Sequence, residues 1–222
     1  MAQNSSSRED DVIVTVASPY DHVNNGWDDA ARAIHSVLKM AQPIRISLQP
    51  DDHAPYVVDF QRRAFQSTSD LADFPTDPVR VGVQTYVVSP DDDQPLDPAR
   101  NLELLLWNVG RSSFKGALAP WLSSTAPYRL TAWPDFTGVF HTTFHLRLTA
   151  HLANHIATVE ELIEQFQVDA ETVHGAINAF SLLGILEHMP ARPSVEAPAA
   201  STPEQAPATA GLWSRLRDRL GF

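Results

Sequence analysis

The chain of 222 residues has no cysteine. That excludes disulfides and thiolate metal sites, and it fits a reducing compartment. Lysine is nearly absent as well. Only Lys39 and Lys115 accompany the arginines, and between Leu148 and Ala191 there is neither Lys nor Arg. No apolar run approaches the roughly 18–20 residues of a membrane span. The opening residues, Met1 to Asp11, are polar and acidic and lack an apolar stretch of signal-peptide type, so secretion is not expected and a cytoplasmic location is. There is no Gly-x-Gly-x-x-Gly, P-loop, Gly-x-Ser-x-Gly or His-Glu-x-x-His pattern. An acid/base site can still be assembled from distant residues, but no motif announces an enzyme and none calls for a cofactor.

What the chain does have is enough apolar material for a core, 43% of its residues. Arginine used in place of lysine, with abundant Ala and Pro, points to a bacterium with a GC-rich genome. The formal net charge is −11. The last twelve residues contribute +2, from Arg215, Arg217 and Arg219 against Asp218, so the preceding 210 residues carry −13. Such a body repels nucleic acid and anionic lipid unless its charge is strongly segregated.

Residues 1–11 are expected to be disordered and residues 12–127 to form an α+β domain with a mainly antiparallel sheet. Val12–Ala17 is rich in β-branched residues and predicts a strand. Trp27, Ala31, Ile34 and Leu38 recur at helical spacing and predict a helix over 27–40, stopped by Pro43. Alternating apolar residues predict strands at Ile44–Leu48, at Tyr56–Phe60 with a return through Ala64-Phe65, and at Val79–Val88. Ser67–Pro78 and Ser89–Pro95 predict loops. Asp97-Pro98 predicts a helix start, with Leu102, Leu105, Leu106 and Val109 as the apolar stripe and either Gly110 as its end or a longer helix beyond it. Tyr128–Phe136 reads as an irregular, aromatic-rich lead-in.

Residues 128–188 predict a helical domain. The first helix spans about Phe140 to Asn154, with Phe140, Phe144, Leu148 and Leu152 as its stripe. Thr158 followed by Glu161 forms a capping box before Leu162, Ile163 and Phe166. Asp169 opens the last helix, which buries Val173, Ile177, Phe180, Leu183 and Ile185. Three short helices joined by tight turns match helix-turn-helix topology. The stretch Ala157–Glu187, ending in Leu183-Gly-Ile-Leu-Glu187, resembles a winged-helix domain. The larger unit, from Leu102 through Trp133-Pro-Asp-Phe136 into this domain, is similar to uncharacterised bacterial proteins associated with signalling systems. Unlike a DNA-reading winged helix, the second helix of the pair has no Arg or Lys, so its source of phosphate affinity is missing.

Residues 189–210 are rich in Pro, Ala, Ser and Thr and predict a flexible linker, about 25 Å across as a coil. Residues 211–222 form a basic amphipathic tail. On a helix Leu212, Leu216 and Leu220 stack at i, i+4 and i+8 beside Trp213, with Arg215, Arg217 and Arg219 on the flanks. That pattern suits a helix-in-groove ligand or an interfacial helix. Twelve residues are too few for a stable free helix, so the tail is expected to fold on binding. The competing reading is intramolecular docking on the acidic body. The candidate partner-binding residues are Leu212, Trp213, Arg215, Leu216, Arg219 and Leu220.

Four other groups invite a site. His141 with His145, and His151 with His155, have a usable metal spacing on a helix. However, His145 and His151 lie about 9 Å apart along the axis, so they form two half-sites, and residues bordering an apolar stripe are the better reading. Asp51-Asp52 with His53, and Asp91–Asp93, are carboxylate runs without calcium-loop spacing and read as solvated loops. Gln61-Arg62-Arg63 could bind phosphate but reads better as a charged hairpin turn. Trp121, Tyr128, Trp133 and Phe136 could line a groove but read better as core between domains. No metal and no cofactor are expected.

Together these features point to a non-enzymatic bacterial signalling adaptor that recruits a protein through a tethered C-terminal helix, from the cytoplasm or the periphery of the inner membrane. An anionic membrane surface is the second candidate for the tail. Nucleic acid is disfavoured, and the sequence names no small molecule. The alternatives are a winged-helix transcription regulator and an enzyme with a site in the N-terminal domain.

Overall fold

Alternating apolar and polar residues at Ile44–Pro50 and Tyr56–Asp59 build two antiparallel strands, β1 and β2, that turn Ile44, Ile46, Leu48, Tyr56 and Val58 to a common core. The computed structural model of the protein describes residues 26–40, 43–88 and 94–189. In it these strands belong to a five-stranded sheet with β3 (Ala64–Gln66), β4 (Val81–Val87) and β5 (Arg100–Asn101), in the order β4-β1-β2-β3-β5. Every pairing is antiparallel, with Ile46 opposite Val58 on one side and Thr85 on the other. On the opposite face of β1 and β2, Arg45 donates to the buried Asp59 carboxylate at 2.9 Å.

Helix α1 (Asp28–Val37) packs Ala30, Ala31, Ile34 and Val37 against β1 and β4. Helix α2 (Leu102–Ser112) buries Leu102, Leu105, Leu106 and Val109 and meets β3 and β5. The second half carries β6 (Tyr128–Leu130), α3 (Thr143–Asn154), α4 (Val159–Phe166), α5 (Ala170–Leu182) and β7 (Leu186–His188). Strands β6 and β7 pair antiparallel, and Tyr128 also bridges Ala157, which lies between α3 and α4. The chain is therefore α+β, with a mainly antiparallel sheet and five α-helices among the described residues. One buried apolar cluster runs from Trp27 and the sheet through α2 to Phe180 and Leu182. No helix among the described residues is long and apolar enough to cross a membrane.

The capping reading at α4 holds in detail. Glu161 donates its backbone N–H to Thr158 Oγ1 at 3.1 Å, and its carboxylate accepts the Thr158 N–H at 2.7 Å. Asp169 likewise accepts the Thr172 N–H at 2.7 Å to open α5. Elsewhere the boundaries move. Asp97-Pro98 does not start α2, because Arg100–Asn101 first pair with β3, and the Asn101 side chain caps the helix at the Glu103 N–H. Gly110 does not end α2. It is a buried interior position where α5 comes so close that an added Cβ would lie 2.4 Å from the Ala179 Cα. Phe140 stands outside α3 and is 65% exposed, because the helix begins only at Thr143. The lead-in at Tyr128–Phe136 contains a regular strand, β6. Val79 is 63% exposed and precedes β4 rather than lining the core. Ser67–Pro78 holds a short 3-10 turn at Leu71–Asp73. The strand expected at Val12–Ala17, the acidic run Asp91–Asp93 and the tail residues Leu212, Trp213, Arg215, Leu216, Arg219 and Leu220 lie outside the described residues.

Candidate functional site

The end of α2 carries an unusual backbone. Phe114, Lys115 and Gly116 all have positive φ, at 61°, 42° and 77°. Left-handed geometry costs a non-glycine residue about 1–2 kcal/mol, so the Phe114-Lys115 pair stores strain that its surroundings must offset. Three side chains from two helices do so. The Asp28 carboxylate of α1 accepts the Phe114 N–H at 2.5 Å. His174 of α5 places Nδ1 2.7 Å from the Gly116 carbonyl, a contact that requires the proton on Nδ1. The buried Asn178 amide, also on α5, donates to the Ala117 carbonyl at 2.9 Å and accepts the Ala119 N–H at 2.8 Å. The Phe114 ring is buried edge-on to Trp121, with their centroids 5.5 Å apart. At Gly116 any side chain is strained, since φ is positive and a Cβ would meet Glu171 Cγ at 2.6 Å, so that Glu171 would have to shift. Burial holds the Asp28 carboxyl above its ordinary pKa, and the Phe114 hydrogen bond and Arg32 pull it only part of the way back.

This pinned turn forms one wall of an open cleft of about 730 Å³. The Leu71–Thr76 loop forms another wall, and the remaining lining includes Asn108, Arg111, Phe140 and Glu171. Arg111 is the notable group. Its guanidinium carbon lies 5.0 Å from the Phe140 ring centroid and 5.9 Å from that of Trp107. It donates to the Phe140 carbonyl at 3.3 Å, the same carbonyl that accepts the Trp107 indole N–H at 2.9 Å. Among the described residues it pairs with no carboxylate. Burial lowers its pKa from the ordinary arginine value, yet a guanidinium remains charged. Beneath it, the buried His145 meets the Trp107 ring edge-on at 5.3 Å. Burial first, then the Arg111 and His141 charges, lower the His145 pKa to about 4.

The structure disperses the histidines. His141 precedes α3 and contacts the Val139 carbonyl through Nδ1, whereas His145 Nδ1 accepts the Thr142 N–H at 2.9 Å as part of the α3 cap. His151 and His155 approach with centroids 4.9 Å apart, and His151 meets the Gln165 amide. Among the described residues, no group of three or more His, Cys, Asp or Glu is placed to hold a metal ion. The arginine pair is held by carboxylates, Arg62 to Asp59 at 3.2 Å and Arg63 to Glu103 at 2.9 Å. Burial alone would raise the Asp59 pKa, but hydrogen bonds from the Arg62 backbone, Arg45 and Arg62 outweigh it, and the carboxyl sits below its ordinary value. Asp51-Asp52 occupies an exposed turn.

The four aromatic residues separate as well. Tyr128 is buried, and Phe136 packs edge-on against Trp107 at 5.2 Å. Trp121 stacks on His35 at 3.9 Å and donates to Ser181 Oγ. Trp133, expected in the core, is 58% exposed. Sequence reasoning missed the cleft entirely. Its one legible sign was Asn178, a polar residue on the inward stripe of an apolar helix, four residues after His174. Compared with family models, curated proteins and solved structures, the chain finds no match in any of the three.

Proposed function

We propose that the protein is a non-enzymatic interaction module of a bacterial signalling system, which recruits a protein partner through its basic tail. The observation that carries this reading is the placement of α5. In a winged-helix DNA reader the second helix of the pair lies in the major groove and must be exposed. Here Val173 and every residue from Gly175 to Phe180 are buried, and α2 lies against α5 closely enough to require Gly110. Several acidic residues at α4 and α5 also make structural contacts. Glu161 and Asp169 cap helices, Glu160 accepts from Ser124, and Glu171 lies over Gly116. A buried helix with an acidic rim supports a scaffold rather than a groove reader.

The winged-helix-like reading of residues 128–188 is part of the proposal. It is supported by the order Ala157, β6, β7 across the small sheet, with α4 and α5 following Ala157. The middle strand enters from before α3 instead of returning from β7, so no wing hairpin joins β6 to β7. The partner-binding role of Leu212, Trp213, Arg215, Leu216, Arg219 and Leu220 rests on the spacing of leucine and arginine in the sequence. Duplex DNA anisotropy and pull-down, each run on the full chain and on residues 1–210, test the reading. The expected result is no duplex binding at micromolar concentration and physiological salt for residues 1–210, with partner capture lost on tail removal. Micromolar duplex binding retained without the tail overturns it.

A further inference from the structure

We propose that the cleft at the end of α2 binds a ligand bearing a single carboxylate, with the Arg111 guanidinium as its anchor and Lys115 as the second cation. A guanidinium carries five N–H donors in a planar fork. Arg111 donates one hydrogen bond, at 3.3 Å, to the Phe140 carbonyl, and pairs with no carboxylate among the described residues. Its guanidinium carbon lies 5.9 Å from the Trp107 ring centroid and 5.0 Å from that of Phe140. A guanidinium with two ring contacts, one hydrogen bond and a place on the cleft lining can match the two oxygens of a carboxylate. Phe140, 65% exposed on the cleft wall, offers apolar surface to the remainder of the ligand.

The cleft wall also argues against a more highly charged ligand. Asp77 and Glu171 line it together with Arg111 and Lys115, so its formal charges cancel. A dianion such as a phosphate monoester would meet two carboxylates as well as two cations, whereas a monoanion can settle beside the cations with less repulsion. The pinned turn gives the site its rigidity. Lys115 stands on a left-handed backbone held by Asp28, His174 and Asn178, from two separate helices. This inference is independent of the tail. Its failure would leave the recruitment reading standing, and failure of the tail experiments would leave this site standing.

The test is a titration of the isotopically labelled full chain with sodium benzoate, benzamide and phenyl phosphate, followed on the Arg111 Nε–H and Trp107 indole resonances. Benzoate is expected to move both along one saturable curve. Benzamide, of the same shape without the charge, should give no saturable shift, and phenyl phosphate should bind several-fold more weakly than benzoate. Arg111→Lys keeps the charge but loses the fork and should weaken benzoate at least about tenfold. Lys115→Ala, at an exposed position, should weaken it about threefold. An end-blocked tetrapeptide with one Glu separates two sources of the group. Tighter binding than benzoate assigns the cleft to acidic peptides, and weaker binding assigns it to free carboxylates. Equal binding of benzamide and benzoate overturns the proposal. So does preference for phenyl phosphate, or an unchanged benzoate affinity in Lys115→Ala. That last outcome decides the matter even if the Arg111 variant fails to fold.

Discussion

Replacing Gly110 with Ala tests the close approach of α2 to α5. Glycine inside a helix normally costs about 1 kcal/mol relative to alanine, so propensity alone predicts stabilisation by that amount. The packing predicts the opposite. An added Cβ would lie 2.4 Å from Ala179 Cα and 2.8 Å from Ala179 N, both backbone atoms of α5 that cannot rotate away. Helices α2 and α5 would have to separate, disturbing Leu106, Trp107 and Phe180 in the shared core. Overpacking of a close-packed core costs about 1–3 kcal/mol, more when backbone must move. The net expectation is a loss of about 2 kcal/mol, or a fall in Tm of about 4–8 °C for a chain of this size. Thermal melting by circular dichroism measures it. Ala179→Gly in the same chain should not restore stability, because it removes only a side chain 3.1 Å away and leaves both backbone clashes. A Tm that rises in Gly110→Ala would refute the described approach of the two helices.

Two further expectations follow from the same region. His145 has its pKa lowered to about 4, so between pH 6.5 and 4 the unfolded chain binds a proton that the folded chain refuses. Its contribution to stability is complete above pH 6.5 and falls away as pH drops towards 4, by at most about 3 kcal/mol. Asp59, Asp135 and Asp169, all lowered from 3.8, act at still lower pH. His35 and His151 are also lowered and share the upper window, so the comparison is with His145→Gln. Glutamine keeps the capping acceptor at this position, and urea unfolding of that variant should show a flatter pH dependence than the parent. Asn178→Ala should cost about 2–3 kcal/mol, because it leaves the Ala119 N–H buried without a partner, and hydrogen exchange should accelerate at Phe114 through Ala119. Unchanged exchange there would show that the left-handed turn does not depend on that amide.

The parts of the fold that could be read from sequence are those governed by local rules. The alternation at Ile44–Pro50 and Tyr56–Asp59, the stripe of α2 and the Thr158–Glu161 and Asp169 caps each follow from neighbours within a few residues. The misreadings arise where a distant segment decides. Gly110 resembles a helix stop until Ala179 is known to lie against it. Asp97-Pro98 resembles a helix start until β3 recruits Arg100–Asn101 into the sheet. Tyr128–Leu130 has no pattern of its own beyond three residues and becomes a strand because Leu186–His188 pairs with it. The cleft follows the same logic. Asp28, Arg111, Lys115, His174 and Asn178 come from three segments of the chain, and only the packing of α1, α2 and α5 brings them to one place. Their spacing in sequence carries no motif.

On the proposed function, the chain holds a protein partner through its basic tail and does not read nucleic acid. Photo-crosslinking in cells tests it most directly, with a photoreactive residue placed at Trp213 in one chain and at the exposed Glu171 of α5 in another. The account predicts a protein adduct of defined mass at position 213, lost on Leu216→Ala, and no nucleic-acid adduct at position 171. Nucleic acid captured at position 171, or a position 213 that yields only lipid or no adduct at all, would contradict it.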